Sequence, residues 1–141
     1  MPGRVEQINI APERHGPCEP FETIDAVAGE GLTGCRYDDI TLIAAEALEG
    51  LRSEHGIALT GAESRRNVLT RGIDLNALVG RRFTVGEIEC VGVELCEPCT
   101  LLQRLTKRGV LRGLVHRAGI NADILRGGRI AVGDPVAELP A

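Results

Sequence analysis

Apolar residues recur at short intervals along this 141-residue chain, and most of the runs they form have the character of strands. Residues 4–11 carry Val5, Ile8 and Ile10 and read as a strand; residues 12–20, rich in chain breakers, read as a loop, and residues 21–28 as a second strand. Gly29, Gly31 and Gly34 then fall within six residues. That density suits neither strand nor helix, but it suits a backbone passing close to a ligand or a neighbouring strand. Residues 39–43 predict a short strand, and residues 44–55 a helix with Leu48 and Leu51 on one face and Gly56 as its stop.

Beyond a polar stretch, Ser64-Arg65-Arg66-Asn67 leads into a strand over 68–70. Asp74 is placed to cap a short helical segment over 75–79, closed by Gly80. Residues 83–85 and 88–95, joined through Gly86, predict a hairpin that delivers the chain to Cys96-Glu97-Pro98-Cys99. A helix over 100–108 ends at Gly109, and strand-like runs follow at 110–115, 119–125 and 130–139, with turns at 126–129 and at Gly133-Asp134-Pro135. Many short strands beside few helices predict a mainly β, β-rich α+β fold. A closed or nearly closed β-barrel with two or three peripheral helices hides the sheet edges. With no repeat or linker, residues 1–141 are read as one domain.

The core of such a barrel has to be aliphatic, because the chain has no Trp, one Tyr and two Phe. A net charge of −4 and the lack of aromatic platforms argue against a nucleic-acid partner. No apolar run approaches the ~18 residues of a membrane helix, and no signal-peptide profile opens the chain, so a cytoplasmic protein without a membrane partner is expected. Five cysteines in that setting are read as reduced thiols, and Cys18, Cys35 and Cys90 each need a separate explanation.

Cys96 and Cys99 bracket a Glu-Pro pair between a strand and a helix, where a helix N-terminus favours thiolate. Three readings are open: a structural zinc site, a redox pair, or inert buried thiols. Zinc lacks a second cysteine pair, and a redox pair fits the rest of the chain poorly. Of the sixteen basic residues only Lys107 is lysine. Arg36, Arg65, Arg66 and Asn67 adjoin the glycine loop and a strand start, where side chains and backbone donors can converge on an anion, with Gly31 and Gly34 permitting close approach. His116, among apolar neighbours, is more often a structural histidine than a ligand and ranks below these.

Together these fragments resemble the MOSC domain family, named for the C-terminal domain of molybdenum cofactor sulfurase, and in particular its compact, stand-alone bacterial members. The matching pieces are Ala28-Gly29-Glu30-Gly31-Leu32, Arg36-Tyr37, Thr41-Leu42-Ile43 with Glu46-Ala47, Arg65-Arg66-Asn67-Val68 and Gly72-Ile73-Asp74-Leu75. They continue through Leu78-Val79-Gly80-Arg81-Arg82-Phe83, Gly86, Cys96 to Cys99 and Gly133-Asp134-Pro135-Val136, in order over nearly the whole chain.

The resemblance implies a barrel holding the molybdenum cofactor, a molybdopterin whose phosphate needs cationic and amide donors. Cys99 would ligate molybdenum, as a soft thiolate can. Arg36, Arg65, Arg66 and Asn67 would hold phosphate and pterin, with Cys96 and His116 nearby. The implied activity is an oxidoreductase reducing small N-hydroxylated or N-oxygenated substrates with electrons from a partner redox protein. The alternative is a sulfur carrier or cofactor-delivery module, loaded as a persulfide by a cysteine desulfurase. Pyridoxal phosphate is not expected in this domain, since only Lys107 could form a Schiff base. Where many relatives carry an acidic residue, this chain has Cys35, which removes an expected acid from the site and suggests an approach of Cys35 to Cys99.

Overall fold

The computed structural model of the chain describes residues 2–13, 17–35, 37–96, 109, 113–114 and 116–140. Among the described residues eleven strands carry the fold: β1 (Gly3–Ile10), β2 (Glu19–Phe21), β3 (Thr23–Val27), β4 (Gly31–Leu32), β5 (Ile40–Ala44), β6 (Val68–Arg71), β7 (Arg82–Val85), β8 (Ile88–Leu95), β9 (Ile120–Arg126), β10 (Gly128–Ala131) and β11 (Pro135–Glu138). Seven of them close into a ring in the order β11-β7-β8-β9-β5-β6-β1, and β1 pairs back onto β11. Strand β2 hangs on the outside of β1, and β10, β3 and β4 form a separate small sheet. The expected barrel is therefore closed, which leaves its seven strands without a free edge.

Among the described strands only β5 and β6 run parallel, with Leu42 opposite Val68. Such a pair needs a crossover, and helix α1 (Ala45–His55) begins it. The apolar spacing of α1 buries Leu48 and Leu51 against Ile43, Leu59, Leu114 and Ala118 in a small second core. The main core lies inside the barrel, where Ile8, Ile40, Leu42, Phe83, Ile88, Cys90 and Ile120 are fully buried. At about 1.5–3 kcal/mol for each large aliphatic or aromatic side chain taken out of water, this interior is the main driving force for closure.

Several expected boundaries move. The single strand expected over 21–28 is two strands, and β2 already starts at Glu19, inside the expected loop. Two residues of the glycine stretch, Gly31 and Leu32, pair with Val27 and Ala26 as β4. The 75–79 segment is a 3-10 turn at Leu75–Leu78, and Asp74 makes no side-chain cap hydrogen bond to it. Where residues 110–115 are described, at Gly113 and Leu114, the backbone turns helically, with the Gly113 N–H donating to Gly109 O at 3.0 Å. Its neighbour Leu114 fills the pocket under α1, so local apolar character there served packing rather than a strand. The expected 126–129 turn is shorter, because β9 runs to Arg126 and β10 starts at Gly128. Among the described residues there is one α-helix; the helix expected over 100–108 lies outside them.

Gly119 has φ of 91°, and a Cβ there would run into the carbonyl oxygen of Leu42 on the neighbouring strand. Gly133 has a similar φ of 96° but open space around it. Each Gly→Ala change therefore carries the left-handed backbone cost of about 1–3 kcal/mol. Gly119→Ala is expected to lose clearly more stability in urea unfolding than Gly133→Ala. Equal losses would mean that β5 and β9 do not approach as described.

Candidate functional site

The end of β1 and the starts of β5 and β6 lie together at one rim of the barrel, and the paired end of β8 and start of β9 reach β5 level with Leu42. The lead-in to β6 is built by a single turn whose ends are tied reciprocally: Glu63 N–H donates to Thr60 Oγ1 at 3.1 Å, and Thr60 N–H donates to Glu63 Oε1 at 3.0 Å. This is a capping box, and the spacing Thr60-x-x-Glu63 was its signal in the sequence. The buried Ser64 hydroxyl donates to Gly61 O at 2.5 Å and accepts from Arg66 N–H at 3.2 Å. Arg65 then takes a left-handed conformation, φ 63°, which ends the turn and delivers Arg66 and Asn67 to the rim.

Asn67, 5% exposed, holds the rim together. Its Oδ1 accepts from the Thr41 N–H at 3.0 Å and the Thr41 hydroxyl at 3.1 Å, while its Nδ2 donates to Asn9 O at 3.1 Å and toward Cys35 Sγ at 3.7 Å. Asn67 N–H donates in turn to Thr41 Oγ1 at 3.0 Å. Both amide hydrogens and both acceptor positions are thus engaged within the protein, leaving none for a ligand in this arrangement. Asn67 shapes the rim instead of supplying the anion donor expected of it.

Arg66 reaches across the rim. Its Nε donates to Ala118 O at 2.8 Å and its Nη2 to Cys96 O at 3.3 Å, while the Cys96 N–H donates to Gly119 O at 2.8 Å. The residue that opens the Cys-Glu-Pro-Cys stretch is thereby pinned through both its amide and its carbonyl. Arg66 is half-buried, and its Nη1 has no partner among the described residues. Arg65 is also half-buried, and both guanidiniums act electrostatically on the Cys18 thiol.

The thiols are not tuned alike. Burial pushes the Cys96 thiol up, Asp39 and Glu94 push the same way, and Arg66 opposes them. Cys96 is therefore not the lowered thiol that its place before a helix suggested. Burial also pushes Cys18 up, against the pull of Arg65 and Arg66 and with a further push from Cys35. Cys90, inside the barrel, is pushed up to about 12 by burial. Among the described residues no three His, Cys, Asp or Glu side chains converge as a metal site.

Two groups that sequence reasoning passed over belong to this rim. Cys18 had only its residue type to announce it, and the β1–β2 pairing brings it to the rim. Asp39 faces Cys96 and accepts from Asn121 Nδ2 at 3.5 Å. Burial raises its carboxyl above the ordinary range, as do Asp38 and Asp123. The acid missing at position 35 thus has a counterpart four residues later. Asn121 Oδ1 is buried and without a partner among the described residues.

The remaining candidates divide. Gly31, φ 92°, is close-packed because a Cβ there would meet the carbonyl oxygen of Tyr37, so its role is to let the loop fold on itself. Gly34, φ 82°, turns the chain into Cys35. His116, φ 60°, lines a separate cleft of about 280 Å³ with Glu46, Asp74 and Asn76, and its carbonyl accepts from Asn76 Nδ2 at 3.0 Å. Arg36 and Cys99 lie outside the described residues.

The described residues thus form a closed seven-stranded β-barrel domain with two half-buried guanidiniums and partly accessible thiols near one rim. The MOSC domain matches residues 30–137, and the chain belongs to that family. The fold is similar to that of the YuaD protein of Bacillus subtilis, with a TM-score of 0.83 at 16% identity over 96% of this chain and 94% of that one. It is also similar to YiiM of Geobacillus stearothermophilus (TM-score 0.77, 16% identity, 99% and 76% covered) and to YiiM of Escherichia coli (0.75, 14%, 98% and 70%). No curated protein matches the sequence. No helix among the described residues is long and apolar enough to cross a membrane.

Since burial raises the Asp39 carboxyl, the fold favours its neutral form. The resulting handicap is absent below the ordinary carboxylate value of 3.8, grows above it, and is complete once pH has passed the folded-state value. Asp39→Asn is expected to raise Tm by about 1–3 °C at pH 7 and to bring no gain at pH 3. A gain that is equal at the two pH values would contradict this electrostatic assignment.

Proposed function

We propose that this MOSC-domain protein holds the molybdenum cofactor at the described rim and reduces small N-hydroxylated compounds with electrons from a partner redox protein. The observation that carries the reading is Arg66: a half-buried guanidinium fixed by two backbone carbonyls, one of them that of Cys96, with a third nitrogen that no described residue engages and that could meet an anion. The chemistry of the donors fits the group. Guanidiniums match phosphate, and thiolate is a ligand for a soft metal.

When bound, the cofactor supplies a metal centre able to pass two electrons. Cys99 would be the metal's thiolate ligand, and Arg65, Arg66 and Arg36 would hold phosphate and pterin. Asn67 fixes the β6 lead-in so that Arg66 keeps its position. Reducing R–NH–OH to R–NH₂ and water consumes two electrons and two protons. Asp39, whose carboxyl holds its proton to higher pH than an ordinary aspartate and which acts electrostatically on Cys96, would hand one on.

Protein made in a molybdenum-replete, cofactor-competent host should carry molybdenum and pterin and reduce N-hydroxylated compounds with a chemical electron donor. Cys99→Ser should lose the metal while keeping its circular dichroism spectrum. Neither metal nor pterin in the wild type, beside a control protein that is loaded, would sink the reading. A persulfide on Cys99 after incubation with a cysteine desulfurase, without reductase activity, would assign the protein to sulfur transfer.

A further inference from the structure

Two thiols at this rim have no part in the proposed reduction. In the β1–β2 ladder Ile10 faces Glu19 and Asn9 faces Pro20, so Cys18 stands one residue beyond the last pair, level with the end of β1. Cys35 arrives at the same place from the other side. Its sulfur lies 3.7 Å from Asn67 Nδ2, which is itself 3.1 Å from Asn9 O. The two thiols are close enough to act on one another electrostatically, and both are partly accessible.

Neither sulfur is carried on a paired strand residue. Cys18 lies in the lead-in to β2, and Cys35 follows the Thr33-Gly34 turn, with its N–H donating to Leu32 O at 3.0 Å. Both flanks can therefore adjust to disulfide geometry without breaking the barrel. We propose that Cys18 and Cys35 form a redox-active dithiol, a site of reversible oxidation by low-molecular-weight disulfides that closes to an intramolecular bridge. This inference is independent of the cofactor reading.

The chemistry balances with a glutathione-type disulfide as oxidant. The thiolate of one cysteine attacks a sulfur of the oxidant, forming a mixed disulfide and releasing one glutathione. The second thiolate attacks the protein sulfur of that mixed disulfide and releases the other glutathione. Two protein thiols lose two electrons and two protons in all, and the oxidant's S–S bond becomes two thiols. Arg65 and Arg66 face Cys18 and favour its thiolate against the effect of burial. Cys90 takes no part, since it is fully buried among apolar neighbours.

The test uses the full chain treated with oxidised glutathione, quenched with N-ethylmaleimide and cleaved by trypsin. Cleavage after Arg14 and Arg36 releases one peptide holding both cysteines. The expected product is that peptide, unalkylated and lighter by two hydrogens than its reduced form, and restored by dithiothreitol. Further cleavage after Glu22 or Glu30 should leave its pieces joined. Its rate of formation should rise with pH, by up to about tenfold per unit, as thiolate forms. Cys18→Ser and Cys35→Ser should each stop at a glutathione adduct on the surviving thiol, with circular dichroism confirming that they fold. A bridge from Cys35 to Cys96 or Cys99, a bridge formed only after denaturation, or adducts that never resolve in the wild type would each overturn the proposal.

Discussion

The rim depends on one buried side chain. A barrel of seven strands has to bring β1, β5 and β6 together where β5 and β6 run parallel, and the ends of parallel strands leave backbone groups that the ladder does not pair. Asn67 meets that need by joining Thr41 of β5 and Asn9 of β1 to its own lead-in, with Cys35 drawn to the same amide. Left unbonded, each of these buried groups would cost about 1–3 kcal/mol. Arg66 follows directly in consequence: a fixed residue 67 aims its predecessor at Ala118 and Cys96, on the far side of β5.

That arrangement separates holding from binding. The amide does the holding, inside the protein, and the guanidiniums and thiols are left at the surface of the rim. It also explains how an acid enters a site whose expected acidic position is a cysteine: Asp39 precedes Ile40, the first residue of β5, two residues ahead of the Thr41 that Asn67 clamps. The desolvation that raises Asp39, Cys18 and Cys96 has one physical origin, partial burial at a barrel end; the arginines offset it at the two thiols and hydrogen bonding, chiefly from Asn121, offsets it at Asp39.

The sequence made the strands legible because β-branched residues repeat in short runs bounded by breakers, and it made α1 legible because Leu48, Leu51 and Gly56 fall at helical spacing. It misled at Gly113-Leu114, where apolar character serves the packing under α1, and at Asp74, whose residue type suits a cap it does not form. Arg66 could be picked out from its place before a strand. The role of Asn67 could not, since an amide that binds a phosphate and one that clamps three strands look alike until the partners are known. Cys18 joins the site only through the β1–β2 register, a long-range pairing that composition and spacing do not encode.

The most direct test of the clamp is amide hydrogen exchange on Asn67→Ala beside the wild type, under conditions where both are folded. The bond of the Thr41 N–H is to the Asn67 side chain, so its exchange should accelerate at least about tenfold when that side chain is removed. Amides of the β7–β8 hairpin, far from the rim, should keep their protection. Unchanged protection at Thr41 would show that Asn67 does not hold the rim, and the placement of Arg66 and the thiols would then need another cause.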